Sequence, residues 1–159
     1  MLFELRQQMK IMDSILPVAA KNEIMEGRLP QLNSEKIFLR KNEYCHYIDK
    51  AILNIYVAER ITYRIGHNMP GVFKGTHINV GTSKSKEYRN IKQQKGILYI
   101  TNKRMIFQAT QNSFDKQHRY LSAIEPYNNA VVLQYGKSTY ELIVEDGFVV
   151  NRVLKLINQ

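Results

Sequence analysis

"TSKSKEYRNIKQQK", residues 82–95, holds the densest set of cationic side chains in the chain. Lys84, Lys86, Arg89, Lys92 and Lys95 stand there against one carboxylate, Glu87. Cations at this density attract phosphate backbones, anionic lipid head groups or acidic protein faces, and Tyr88 among them is placed to stack on a base. The polar composition predicts a loop, the most basic patch of the chain. As a binding loop it suits an acidic protein or lipid surface better than nucleic acid, because no recognition helix or RNA-binding motif accompanies it. As a solvated loop it binds nothing. A second pair of cations, Lys103 and Arg104, sits in the polar tip of "GILYITNKRMIFQ".

Catalytic groups do not assemble in the same way. "YGKST", Tyr135–Thr139, resembles the end of a phosphate-binding loop, but that motif needs a glycine where Val131 stands and a helix afterwards. "TYELIV" reads as a strand, so "YGKS" reads as a hairpin turn. His46, His67, His77 and His118 show no metal-ligand spacing, and Cys45 beside His46 would point to the opposite face of a strand. Cys45 reads as a small buried thiol. No nucleophile–base order and no dinucleotide loop appears. A non-enzymatic chain with no metal and no cofactor is expected.

The 159 residues suit one domain with an appendage, and 44% of them are hydrophobic, enough for a real core. There are ten tyrosines, six phenylalanines and no tryptophan. The net charge of +9 and pI of about 9.6 favour anionic partners. One cysteine allows no internal disulfide and suits a reducing compartment. No run of roughly 18 apolar residues is present to span a bilayer. "MLFELRQQMKIMD" mixes charge with apolar residues, unlike a signal peptide. The expected location is the cytoplasm, with the inner membrane face as a peripheral site. The Lys, Asn, Ile and Tyr content suits an AT-rich bacterial or phage genome.

The elements that must carry these residues follow from periodicity. Leu2, Leu5, Met9, Met12 and Leu16 step by three and four, which predicts a helix with one apolar stripe. That stripe either docks on the chain's own body or recruits another chain, a second copy included. Pro17 ends it. Ser14 is the expected cap of a second short helix through "PVAAKNEIMEG", stopped by Gly27. "RLPQLNSE" reads as a linker. "EYCHYIDKAILNIYVAERI" reads as one or two strands, with a helix over Asp49–Glu59 as the competitor. "GVFKGTHINVG" alternates between two faces as a strand. Thereafter short strands crowd together: "ILYI", "MIFQA", "RYLSAI", the end of "EPYNNAVVLQYG" and "STYELIV", with turns at Asn102-Lys103, Gln111-Asn112-Ser113, Asn128-Asn129 and Gly136-Lys137. Asn102 suits its turn because it tolerates left-handed geometry. Asp146 is the expected N-cap of a last helix whose Val149, Val150, Val153, Leu154 and Ile157 form the apolar face.

"KGILYITNKRMIFQ", a strand pair, "NAVVLQYGKSTYELIVED" and a terminal helix resemble the GRAM and pleckstrin-homology-like (PH-like) superfamily. Gly96, Leu98, Ile100, the Thr101–Arg104 tip and Ile106-Phe107 carry the likeness, over about residues 52–158. The lead-in "LPQLNSEKIFLRKNE" looks like that of small bacterial proteins with such domains. The resemblance implies an α+β, mainly β fold: a seven-stranded bent antiparallel barrel capped by the C-terminal helix. Residues 1–42 would form a helical extension and linker, and 43–159 the barrel domain. It also implies a binding or adaptor module for a protein or an anionic membrane surface. The stretch "ERITYRIGHNMPG", where inositide-binding members carry clustered cations, has Arg60 and Arg64 but no lysine cluster. A basic nucleic-acid-binding accessory factor, of phage or mobile-element type, is the alternative. Partner contacts are expected at Lys84, Lys86, Arg89, Lys92, Lys95, Lys103 and Arg104.

Overall fold

The computed structural model describes residues 14–70 and 77–159, with the backbone alone at 57–70 and 77–90. Helix α1 (Val18–Met25) leads into seven strands. These are β1 (Cys45–Pro70), β2 (His77–Thr101), β3 (Arg104–Ala109), β4 (Phe114–Gln117), β5 (Leu121–Tyr127), β6 (Ala130–Tyr135) and β7 (Ser138–Ile143). A single 3-10 turn, His118–Tyr120, joins β4 to β5, and α2 (Gly147–Ile157) ends the chain. All seven strands belong to one sheet in the order β4-β3-β2-β1-β7-β6-β5, and the recorded ladders are antiparallel. Seven antiparallel strands in one sheet, followed by a C-terminal helix, are the elements that the resemblance implies. The sheet ends at β4 and β5, and no ladder joins those two, so it is bent but open.

The bend is visible in the aromatic core. Phe114 on β4 stacks on Tyr140 of β7 with ring centroids 4.1 Å apart. Four strand steps separate β4 from β7 in the sheet order, which in a flat sheet would be about 19 Å. Only a sheet folded over on itself brings the rings together. Phe107 stacks behind Phe114 at 5.6 Å, and Tyr135 meets Tyr140 edge-on at 6.0 Å. Leu98, Ile100, Met105, Val131, Leu133 and Leu142 fill the same interior. Each such side chain contributes about 1.5–3 kcal/mol on full burial. Val149, Val150, Val153 and Leu154 of α2 close it, and Ile157 packs at its margin. Asp146 caps α2 as expected: its Oδ1 accepts from the Phe148 amide at 2.9 Å.

Two turns match their sequence signals. Tyr135 pairs with Ser138 around Gly136-Lys137, and only Gly136 takes positive φ (+57°), the pattern of a II′ hairpin. "YGKS" is therefore a turn. Tyr127 likewise pairs with Ala130 around Asn128-Asn129. Edge protection is local. β4 has four residues, while β5 carries Pro126 and a register irregularity between Leu121 and Ala123.

Several expectations change. Residues 82–95 are not a loop but part of β2, which runs without a break from His77 to Thr101. The segment lacks the apolar alternation that marks a half-buried strand, so composition alone spoke for a loop. β1 is one strand, which removes the helix over Asp49–Glu59. β4 was not separated from its surroundings in the sequence. Ser14 does not cap α1, whose N-cap is Pro17 without a side-chain bond. The buried Asp49 carboxylate claims Ser14 instead, accepting from its hydroxyl at 2.7 Å and from the Ile15 amide at 2.8 Å. Gly27, at φ +93°, does stop α1: its amide bonds the Ile24 carbonyl while the Arg28 amide reaches that of Glu23.

Of the N-terminal stripe, Leu16 is buried with Ala20 and Ile24 in the main core. Leu2, Leu5, Met9 and Met12, and residues 71–76 of "GVFKGTHINVG", lie outside the described residues. By compactness, Met1–Ile55 with Gln93–Gln159 form one unit, and Tyr56–Lys92 a second made from the C-terminal part of β1 and the N-terminal part of β2.

Candidate functional site

The hairpin tip is where predicted contact residues can be followed atom by atom. Ile97–Ile100 pair with Met105–Gln108, leaving Thr101-Asn102-Lys103-Arg104 as the connection. Thr101 Oγ1 organises it, accepting from the amides of Lys103 (3.1 Å) and Arg104 (3.0 Å) and donating to Glu43 Oε2 at 2.7 Å. Asn102 does not adopt left-handed geometry; the positive φ values among the described non-glycine residues belong to Asn42 and Asn112. It serves as a clamp. Its Oδ1 accepts from the Tyr44 amide at 2.8 Å, its Nδ2 donates to the Asn42 carbonyl at 3.0 Å, and its own amide reaches the Tyr44 carbonyl at 3.0 Å.

Arg104, expected as a partner contact, is turned inward. Its side chain is 9% exposed and that of Glu43 is 0%. Nε and Nη2 hold both Glu43 oxygens, at 2.9 and 3.1 Å. Nη1 donates to Asp115 at 2.6 Å and Nη2 to the Phe38 carbonyl at 2.6 Å. The guanidinium fork therefore ties the hairpin to β4 and to the linker, which crosses the outer face of β2 and β3. Ile37 of that linker packs on a second small cluster of Cys45, Tyr99 and Ile106. Lys103 is exposed and donates to the Lys41 carbonyl at 2.8 Å. Lys92 and Lys95 are exposed on β2, while Lys84, Lys86 and Arg89 are placed on that strand by backbone alone.

Electrostatics follow from these contacts. Burial pushes the Glu43 carboxyl up, but the Arg104 guanidinium, the Arg40 amide and the Thr101 hydroxyl outweigh it and bring its pKa down to about 2. A carboxyl depressed in the folded state stabilises above its unfolded pKa and loses that contribution as pH falls toward the folded value. Between pH 6 and pH 3 this group should cost the fold about 2 kcal/mol. Carbon-13 titration of the carboxyls should place Glu43 near 2; a midpoint at the ordinary glutamate value would remove the contribution. Burial pushes the Cys45 thiol up to about 11, so it is inert as a nucleophile, and it donates to the Tyr47 carbonyl at 3.4 Å.

Sequence reading missed a hollow next to the tip. Arg40, Lys103 and Arg119 line it together with Asn102, Gln117, His118, Ile157 and Asn158, around a volume of about 400 Å³. Nothing local marks it, since its cations come from the linker, the hairpin and the turn after β4. His118 Nε2 lies 2.6 Å from the Thr101 carbonyl, an acceptor, so Nε2 carries the proton and the buried Nδ1 holds an unpartnered lone pair. Burial lowers the pKa of this ring. Among the described residues no group of His, Cys, Asp or Glu could hold a metal, and no helix is long and apolar enough to cross a membrane.

No family model matches the chain, and no curated protein matches it. Among solved structures it is similar to the Vps36 N-terminal PH domain, at 14% identity and a TM-score of 0.46, over 82% of this chain and 90% of that one.

Proposed function

We propose that this chain is a non-enzymatic binding module whose PH-like body presents basic residues to an acidic protein partner. The observation that carries this reading is the extension of β2 through residues 82–95. A strand advances about 3.3 Å per residue and alternates faces, so positions 84, 86 and 92 stand at fixed intervals on one face of the extended backbone and positions 89 and 95 on the other. Cations at fixed intervals suit a patterned acidic surface, and they speed encounter with it under low salt. The +9 net charge acts in the same direction. An anionic membrane face and nucleic acid are the competing partners, and they separate by experiment.

The test compares the wild type with Lys84→Gln/Lys86→Gln/Arg89→Gln as bait in extracts of the native host. The expected result is a salt-sensitive acidic protein that the triple variant no longer retains. Equal capture by both baits would overturn the role of β2. In parallel, duplex DNA and RNA are titrated in gel shifts at low and moderate salt. A shift that falls steeply with salt and vanishes in the triple variant would transfer the function to nucleic acid. Sedimentation with anionic vesicles, lost in the same variant, would transfer it to a membrane surface.

A further inference from the structure

We infer that the hollow beside the hairpin tip is a binding site for a phosphomonoester group. The argument begins with charge. Three cations, Arg40, Lys103 and Arg119, line it, and among the described residues no carboxylate does. Like charges gathered around one small space repel each other, and an anion between them relieves that repulsion. A phosphomonoester carries nearly two charges at neutral pH and three strong acceptor oxygens, which suits three cations better than a single carboxylate would.

The donors are also disposed to serve a ligand. The Arg119 guanidinium lies over the Tyr120 ring, 4.7 Å from its centroid, a contact that uses the face of the group and leaves its in-plane N–H donors free. Arg40 is fixed through its backbone, where its amide donates to Glu43 Oε1 at 2.9 Å, and its guanidinium makes no ion pair among the described residues. Lys103 gives one ammonium hydrogen to the Lys41 carbonyl and retains two. The positions are pre-set: Asn102 clamps the tip to Asn42 and Tyr44, and the His118 amide and ring hold the Lys103 and Thr101 carbonyls. The backbone of the site is thus set before binding, and the ligand orders the exposed Arg40, Lys103 and Arg119 side chains. Beyond the cations Gln117, Ile157 and Asn158 continue the wall. A volume of about 400 Å³ therefore has room for the carrier of the phosphate as well as the group itself.

This site is built entirely from the unit formed by Met1–Ile55 and Gln93–Gln159, and it does not depend on the cations of residues 84–92. Its test is accordingly separate. Inorganic phosphate is titrated against the full chain at constant ionic strength, and amide shifts are followed by NMR. Saturable shifts confined to Asn102, Lys103, His118 and Arg119 are expected, with at least tenfold weaker binding in Arg40→Gln/Arg119→Gln. Those two guanidiniums hold no ion pair among the described residues, so the variant keeps the fold. Shifts spread evenly over all basic residues, or unchanged in the variant, would overturn the site. Vesicles of phosphatidic acid, with phosphatidylglycerol as the diester control, distinguish the source. Variant-sensitive sedimentation with the monoester lipid alone places the group on a membrane. Binding of phosphate without sedimentation places it on a soluble carrier.

Discussion

Arg104→Met is expected to destabilise the protein by about 3–5 kcal/mol, the range for breaking a buried ion pair from one side. The guanidinium satisfies both oxygens of Glu43, one of Asp115 and the Phe38 carbonyl. Its loss strands Glu43, whose side chain is fully buried, with only the Arg40 amide and the Thr101 hydroxyl as partners. The carboxylate then has two choices. It stays charged without its cation, or it takes up a proton at pH 7, which costs a group of ordinary pKa about 3 kcal/mol. Either route gives a similar penalty, so the estimate does not depend on which occurs. In melting temperature the loss should be about 10 °C for a chain of this size.

Arg104→Lys keeps the charge but loses the fork, and it should fall between wild type and Met. Glu43→Leu added to Arg104→Met removes the stranded charge and should restore part of the loss. Urea unfolding of the four proteins measures all of this. A surface cation that serves only a ligand shifts stability by no more than about 0.5 kcal/mol. A change of that size in Arg104→Met would return Arg104 to the surface role that its sequence position suggests.

Local pattern carried the hairpin and lost its chemistry. The apolar runs Ile97–Ile100 and Met105–Phe107 flank a four-residue polar tip, so the hairpin was legible. Inward and outward cations at that tip were not, because Glu43, which decides the matter, lies 61 residues earlier. The same holds for the hollow, whose cations no sequence window contains. The length of β2 was hidden for another reason. Strands are recognised by the apolar residues that a core requires, and "TSKSKEYRNIKQQK" has almost none. β4 was missed because its four residues contain one apolar side chain, Phe114, and a single residue has no period. α2 was fully legible, since five apolar residues on one face and an acidic cap are all local signals. What the sequence showed well was whatever a short stretch must do to fold. What it concealed was any group whose role depends on a distant partner.

Gly147→Ala should destabilise by about 3 kcal/mol, although at a helix start the same change is ordinarily favourable or neutral. Alanine exceeds glycine in helix propensity by about 1 kcal/mol, and it loses less backbone freedom on folding. Propensity alone therefore predicts a gain. Packing reverses the sign. Gly147 opens α2 directly against the β5–β6 turn, where its amide donates to the Asn128 carbonyl at 3.3 Å. A Cβ there would overlap the carbonyl oxygens of Ala130 and Tyr127. Both are backbone atoms, so no side-chain rotation relieves the clash, and either the turn or the first turn of α2 must move. The turn is held by the Val144 amide on the Asn129 carbonyl, and α2 by the apolar face it buries in the core. Overpacking of this kind costs about 1–3 kcal/mol, and the rigid neighbours place it at the upper end. Gly136→Ala supplies the contrast. Its φ of +57° strains alanine, but a Cβ there meets open space, so only the left-handed penalty of about 1–2 kcal/mol applies. Urea denaturation should rank wild type above Gly136→Ala and Gly136→Ala above Gly147→Ala. A Gly147→Ala protein as stable as wild type would mean that α2 does not seat on the turn, and the closure of the core by that helix would fall with it.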